Sequence, residues 1–296
     1  MKKSQLKLNE QIDLGSIIIG DQKPCFIVAE AGVAHFGSLE KCFKLVDLAK
    51  SSGANAIKFQ IYDIDSFISR KSKKWFSRMK EKSLNNDDFL EIKKYCKKKK
   101  ILFFLTPHDE KALSLTEKMD LPLLKIGSGE VQNNSFIKKI LSLNKPTIIS
   151  TGMYDEDDLN DLIKIIKKQK NKNIAILHCV SSYPTKSEEV NLNVINEYKE
   201  KIQGIIGYSD HTEGHEVCIL AVAAGAKIIE KHITLDFNIP NAQDWKVSCG
   251  PNDFKSFVNK IRSVEKILGL KKKKISKEEK KSLLWARKSL ILKNNV

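Results

Sequence analysis

The sequence predicts an α/β protein, a closed (β/α)8 TIM barrel with a short N-terminal hairpin and a C-terminal helical extension. Short apolar runs alternate with amphipathic segments eight times over about 240 residues. The runs are nearly continuous in Val, Ile, Leu and Phe, as parallel strands buried on both faces must be. Polar side chains cluster just after the runs, at the end where a barrel of this kind carries its site. Eight units fit a closed barrel better than an open sheet.

In chain order, Gln11 to Asp13 turns at Leu14-Gly15-Ser16 into Ile17-Ile18-Ile19, a hairpin placed to plug one end of the barrel. Phe26 to Glu30 reads as the first strand, Leu39 to Ser52 as a helix and Ala56 to Gln60 as the second strand. Residues 61 to 84 interrupt the alternation with a polar stretch carrying Tyr62, Phe67, Trp75 and Phe76, read as a long loop over the site. The alternation resumes with helix 87–99, strand Ile101–Leu105, helix 109–118, strand Leu123–Ile126, helix 134–142 and strand Thr147–Ser150. Helix 156–168 follows, and its start at Asp155, Glu156, Asp157 and Asp158 suits the positive end of a helix dipole. Strand Ile174–Cys179, helix 192–201, strand Gly204–Tyr208, helix 214–224, strand Lys227–His232 and helix 252–268 complete the pattern. The barrel domain is expected over residues 1–270, with 271–296 as a basic helical tail.

The formal net charge of +16 raises nucleic acid or an anionic membrane as a partner. Only four of the 52 basic residues are arginine (Arg70, Arg78, Arg262, Arg287), and no basic segment is rich in aromatics. Bidentate phosphate and base recognition favours arginine, so Lys97 to Lys100 and Lys271 to Lys274 read as solvated surface. Neither nucleic acid nor membrane is expected as a partner. The six cysteines form no CxxC pair and mostly sit in apolar runs, as buried thiols do in a reducing compartment. No secretory h-region follows Met1-Lys2-Lys3, and a soluble cytoplasmic protein is expected.

The polar residues at the strand ends are Glu30, Lys58, Gln60, Thr106, Ser128, Glu130, Ser150, Thr151, Ser181, Ser182, Ser209 to His211, and His232. Singly, each has a structural explanation: a hydroxyl after a strand usually caps the next helix, and a lysine can snorkel. Polar groups at the same end of eight successive strands are harder to explain that way. Thr106, Ser128, Ser150 and Ser209, with Lys58, Lys125 and the turns Gly127-Ser128-Gly129 and Thr151-Gly152, have the chemistry to bind a phosphate. No P-loop or GxGxxG occurs, so a phosphate would be held by scattered strand ends.

His211 and His232 end two strands joined by a helix, which places two imidazoles side by side as candidate metal ligands. The first strand of a closed barrel neighbours the eighth, so Glu30 could lie near His232 as a ligand or a supporting carboxylate. Glu130 is the candidate general acid or base near the phosphate; a salt bridge to Lys58 or Lys125 is its structural alternative. His178 reads as core, and His35 and His215 are weaker metal candidates than the pair.

The ordered segments Glu30-Ala-Gly, Lys58-Phe-Gln60, Thr106-Pro107, Lys125-Ile-Gly-Ser-Gly-Glu130, Ser150-Thr-Gly-Met153, His178-Cys-Val-Ser-Ser-Tyr-Pro184, Gly207-Tyr-Ser-Asp-His-Thr212 and Glu230-Lys-His-Ile-Thr-Leu-Asp236 resemble the motif series of the N-acetylneuraminate (sialic acid) synthase family, which includes legionaminate and pseudaminate synthases. The resemblance runs from about residue 12 to about residue 292. It implies a metal-dependent condensation of phosphoenolpyruvate with the open-chain aldehyde of an N-acylated hexosamine, giving a nine-carbon 2-keto sugar acid and phosphate. It further implies that His211 and His232 bind Mn2+, with Mg2+ or Co2+ as alternatives, and that Lys58, Thr106, Lys125, Ser128, Ser150 and Ser209 hold phosphoenolpyruvate. Glu130 and Glu30 are then the catalytic carboxyls, Gln60, Tyr183 and Asp244 face the sugar with Gln243 as an alternative to Asp244, and the chain forms a homodimer.

The chain departs from that pattern in four places. Ala34-His35-Phe36-Gly37 stands where the family usually shows Asn-His-Asn-Gly, and Pro240-Asn-Ala-Gln-Asp-Trp245 replaces Pro-Gly-Pro-Asp. Ser181 stands where sialate-making members can carry Asn. The segment Ala286-Arg287-Lys288-Ser289-Leu290 leads in the family into an antifreeze-like domain that supplies an arginine to the partner's sugar site, and that domain is not expected here. Two other readings stay open: a phosphoenolpyruvate- and metal-binding subunit that needs a separate cap, and a Schiff-base aldolase using Lys58 or Lys125.

Overall fold

The structure, a computed structural model, describes residues 5–240, 242, 244–269 and 272–288. Its centre is a closed parallel barrel of eight strands: β1 Phe26–Gly32, β2 Ala56–Ile61, β3 Leu102–Pro107, β4 Leu124–Ile126, β5 Thr147–Ser150, β6 Ile174–Cys179, β7 Ile205–Asp210 and β8 Ile228–Ile233. Neighbours in space are neighbours in sequence from β1 to β8, and β8 pairs back onto β1 with His232 opposite Glu30. The outer layer is α1 Leu39–Ser52, α2 Asn86–Lys99, α3 Glu110–Lys118, α4 Asn134–Ser142, α5 Glu156–Lys167, α6 Val194–Lys201, α7 Glu216–Ala223 and α8 Phe254–Leu268. Every strand and helix expected from the apolar pattern is present, with ends shifted by one or two residues.

Local chemistry explains the boundaries. Ser38 caps α1 by accepting from the Lys41 N–H, and Gly53, at φ 90°, ends it in a left-handed turn. Reciprocal capping boxes start α2 (Asn85 with Asp88) and α5 (Asp155 with Asp158), so the acidic run before α5 is a cap as well as a charge match. The hairpin Gln11–Asp13 with Ile18–Gly20 buries Ile12, Leu14 and Ile19 in the cluster formed by Phe26, Val28, Phe104, Leu123 and Ile148, which closes the end of the barrel opposite the polar strand ends. The main core lies between strands and helices.

Residues 61–84 differ from the expected loop: they fold into two short helices, Ile64–Phe67 and Lys73–Lys80. Asp63 caps the first of these, and the Tyr62 hydroxyl donates to the Met79 carbonyl at 2.8 Å, so the segment carries its own hydrogen bonds. Two small pairings were not anticipated. Leu6–Lys7 lies parallel to Ile202–Gln203, and Ser248–Cys249 pairs with the end of β8. Within the expected tail, Lys277–Ala286 forms a capped helix with Leu284 and Trp285 exposed; residues 270–271 and 289–296 lie outside the described residues. Among the described residues no helix is long and apolar enough to cross a membrane.

Candidate active site

Side chains alternate along a strand, so residues two apart share a face. That rule turns Glu30 of β1, Lys58 and Gln60 of β2, Thr106 of β3, Lys125 of β4, Ser150 of β5, Cys179 of β6, Ser209 of β7, and Glu230 and His232 of β8 toward one cavity of about 330 Å3. Ser128, Ser181, Tyr183 and His211, just beyond their strands, also line it. A larger hollow of about 800 Å3 lies on the outer helices beside Asp157, Lys164 and Lys201 and shares no residue with the strand ends.

The cavity floor is a compact arrangement of opposite charges. Lys58 Nζ lies 2.9 Å from Glu30 Oε2 and 3.5 Å from Glu230 Oε1, and it donates to Thr106 Oγ1 at 2.9 Å. Lys125 Nζ donates to Ser150 Oγ at 2.8 Å and lies 3.6 Å from Glu230 Oε1. Ser209 Oγ donates to the same Glu230 oxygen at 3.1 Å, while Glu230 Oε2 has no hydrogen-bond partner among the described residues. Burial pushes the Glu230 carboxyl up, but Lys125 and Lys58 outweigh it and hold the group below the usual carboxylate range. Burial prevails at Glu30, whose carboxyl sits above that range despite Lys58. Lys58 keeps its proton firmly because Glu230 and Glu30 overcome its burial, whereas burial lowers Lys125. Two lysines and two carboxyls thus balance one another closely, and an incoming anion would compete with Glu30 and Glu230 for the same two ammonium groups.

The histidines stand beside this floor. His211 Nδ1 donates to the Val180 carbonyl at 2.6 Å, a partner that puts the lone pair on Nε2, where it accepts from the Tyr183 hydroxyl at 2.8 Å. The His211 and His232 rings lie 5.4 Å apart, centroid to centroid. Burial first, and then the charges of Lys58, Lys231 and Lys125, hold His232 well below its usual range and so neutral. Its nearest carboxylate is Asp244, 3.9 Å from Nδ1, because Glu30 is engaged by Lys58 and by Gln60 Nε2 at 3.2 Å. Among the described residues no group of three His, Cys, Asp or Glu side chains is placed to hold a metal. The chemistry of the pair still fits a divalent ion: a carbonyl-fixed imidazole and a neutral one face a cavity with room for water or substrate oxygens.

Of the residues expected at the sugar, Gln60, Tyr183 and Asp244 meet at an adjoining hollow of about 220 Å3, walled by Phe67, Ile68, Trp75 and Met79. Gln243 lies outside the described residues. Glu130 stands apart from both hollows: it ends the turn Ser128–Glu130, its carboxylate accepts from Asn133 Nδ2 at 2.7 Å, and burial raises it. The salt bridges considered for Glu130 are made by Glu30 and Glu230 instead.

Sequence reasoning gave Glu230 no role although it is the most central carboxylate. The signal was its spacing of two from His232, which puts both on one face of β8. Cys179 is buried, as its apolar run implies, but it lines the cavity 3.7 Å from His211 Nδ1, and His211, Ser128 and Lys125 outweigh burial to lower it.

The sequence matches the NeuB family over residues 45–273. The chain belongs to the NeuB family. It is 37% identical to the N,N'-diacetyllegionaminic acid synthase of Campylobacter jejuni over 289 residues, covering 93% of this chain and 86% of that one. It is 40% identical to an uncharacterized protein of Methanocaldococcus jannaschii over 287 residues, covering 97% and 85%. The crystal structure of N-acetylneuraminic acid synthetase from Leptospira borgpetersenii, in complex with citrate, matches with a TM-score of 0.88 at 35% identity, over 95% of this chain and 99% of that one. This NeuB-family chain is therefore an enzyme, a transferase of the synthase type.

Proposed function

We propose that the enzyme condenses phosphoenolpyruvate with the open-chain aldehyde of an N-acylated hexosamine, either N-acetylmannosamine or a 2,4-diacetamido-trideoxyhexose. The products are a nine-carbon 2-keto sugar acid and phosphate. The observation that carries this reading is the set of two buried lysines and the hydroxyls of Thr106, Ser128, Ser150 and Ser209 around one cavity, opening beside a histidine pair.

In the reaction, C3 of phosphoenolpyruvate bonds to the aldehyde carbon, the aldehyde oxygen gains a proton, water adds at C2 and phosphate leaves. Lys58 and Lys125 bind the anionic groups and offset the charge repulsion on bringing them into a buried site. Thr106 and Ser150, each already donated to by a lysine, are free to donate their own hydroxyl hydrogens to the phosphate. Glu30 holds a proton more readily than an ordinary carboxyl, and Glu230 lines the same cavity with one buried oxygen that has no hydrogen-bond partner among the described residues, so this pair is better placed than Glu130 to move protons around C2 and C3. Gln60, Tyr183 and Asp244 orient the sugar. A divalent ion, Mn2+ first and Mg2+ or Co2+ as alternatives, would be held by His211 and His232 and would supply Lewis-acid polarisation of the aldehyde oxygen. A homodimer belongs to the same reading.

The test is phosphate release from phosphoenolpyruvate with a panel of these sugars and Mn2+. Turnover with one acceptor supports the reading, and phosphoenolpyruvate binding without turnover on any acceptor sinks it in favour of a subunit that needs a separate cap. A second reading is favoured by Lys125, whose ammonium burial destabilises as in Schiff-base lysines. Borohydride reduction in the presence of substrate would then leave a covalent adduct on Lys125.

A further inference from the structure

His108 has no part in the chemistry above, yet it lines the phosphate half of the cavity. It follows Pro107 at the end of β3, and its backbone N–H donates to the Ile61 carbonyl at 3.0 Å, so its position is tied to the end of β2. The imidazole stacks on Phe67 of the helical insertion at 4.7 Å between centroids and 27° between planes. Its Cε1 also approaches the Gly127-Ser128-Gly129 turn: a Cβ built on Gly127 would come within 3.8 Å of it. The ring is thus fixed between the insertion and the turn that carries Ser128.

Among the described residues its Nε2 is buried and has no hydrogen-bond partner. A buried polar atom left in that state is costly, and the cost is relieved when a ligand supplies the partner. The surrounding charges say which ligand. Lys58 faces it from β2 and Lys125 from β4, with Glu30 and Glu230 beyond them. Asp109, the next residue, has its carboxylate taken up by the N–H groups of Asp63 and Ala112. From the insertion the packed group is the uncharged Phe67 ring. Burial first, and then the two lysines, lower His108 from its ordinary 6.5 to about 3, which keeps the imidazole neutral beside those lysines. A phosphate dianion would offset the lysine charge and favour the imidazolium.

We propose that His108 is a further anion-binding residue of this site, which takes a proton from solvent as the substrate's phosphate arrives and donates a charge-assisted hydrogen bond to it. The inference rests on the reading of the cavity as a phosphoenolpyruvate site. Balance requires one proton from bulk water per anion bound, in addition to any proton the phosphate itself takes up.

The experiment is calorimetric titration of the full chain with phosphoenolpyruvate from about pH 6 to about pH 8, in two buffers of different ionisation enthalpy. His108→Phe keeps a ring to stack on Phe67, and His108→Asn keeps a donor that cannot titrate. The parent should take up more protons than either variant, and its affinity should fall more steeply with rising pH. His108→Phe should bind about ten- to a hundredfold more weakly near pH 6, and His108→Asn should fall between the two. The phosphate's own titration is common to all three proteins, so the difference isolates residue 108. Equal proton uptake and equal affinity in parent and variants would overturn the role of His108 while leaving the functional reading intact. Absence of phosphoenolpyruvate binding by the parent itself would overturn both. A variant whose thermal unfolding matches the parent but whose affinity is lost supports the proposal.

Discussion

Lys231 Nζ and Asp210 Oδ2 lie 2.5 Å apart with both side chains completely buried, and the two residues are register partners across β7 and β8. Lys231 also donates to the Thr212 carbonyl at 2.7 Å, and Thr212 Oγ1 donates back to Asp210 at 2.9 Å. Each is the chain neighbour of a histidine, Asp210 of His211 and Lys231 of His232, on the opposite face of the strand. Removing one charge strands the other, so Lys231→Met alone should cost about 3–5 kcal/mol in urea unfolding. Asp210→Leu combined with Lys231→Met should cost less than either change alone. Singles within about 1 kcal/mol of the parent would mean the pair does not hold this seam.

The same seam needs a glycine. A Cβ on Gly207 of β7 would sit 2.6 Å from the Ile228 carbonyl oxygen and 2.8 Å from Ile228 Cβ, both parts of β8 that cannot swing away. Gly207→Ala should destabilise the fold by about 1–3 kcal/mol or more, read as a drop in melting temperature. An unchanged melting temperature would show that the strands separate more easily than their packing implies.

Glu230 should matter more to rate than to substrate capture. Glu230→Gln leaves Lys58 and Lys125 less compensated, which favours an incoming anion, while removing the carboxylate that faces the cavity. On the proposed function, kcat should fall about a hundredfold or more with no rise in the KM for phosphoenolpyruvate. A raised KM with kcat retained would make Glu230 a binding residue only.

Acid should weaken the fold partly through His35. Burial is the main cause that lowers its imidazole from 6.5 to about 4, while its Nδ1 accepts from the Gly37 N–H at 3.1 Å. Between those values the unfolded chain binds a proton that the folded chain refuses, so stability is full above about pH 6.5 and falls as pH drops toward about 4. The loss from this one group should be roughly 3 kcal/mol. His35→Phe should flatten the slope of stability against pH over that window, whatever it does to stability at neutral pH, and a slope identical to the parent's would rule His35 out.

The histidine pair makes its own prediction. His211→Asn and His232→Asn should each weaken Mn2+ binding, read by electron paramagnetic resonance of the free ion, by about a hundredfold or more. Binding of inorganic phosphate should change little. Mn2+ affinity equal to the parent's in both variants would remove the metal from the site.

Much of this protein is decided by its amino-acid order. Period-two and period-3.6 apolar patterns separate β1 to β8 from α1 to α8, because each face must be buried locally whatever the distant contacts turn out to be. The same patterns placed Lys58, Lys125, Ser209, His211 and His232 at strand ends facing one mouth. The insertion departs from the expected loop because its helices, Ile64–Phe67 and Lys73–Lys80, are too short for a 3.6-residue period to stand out in the sequence. What only the tertiary structure decided is partnership. Glu30, Glu130 and Glu230 look alike as letters, but their charge state and use depend on which ammonium lies within about 4 Å in a dry interior. Pairing of β1 with β2 gives Glu30 to Lys58, barrel closure brings Glu230 of β8 between both lysines, and Glu130 stays with its chain neighbour Asn133. Among the described residues one nitrogen of His108, beside the same cavity, is left without a partner, a condition no sequence pattern encodes.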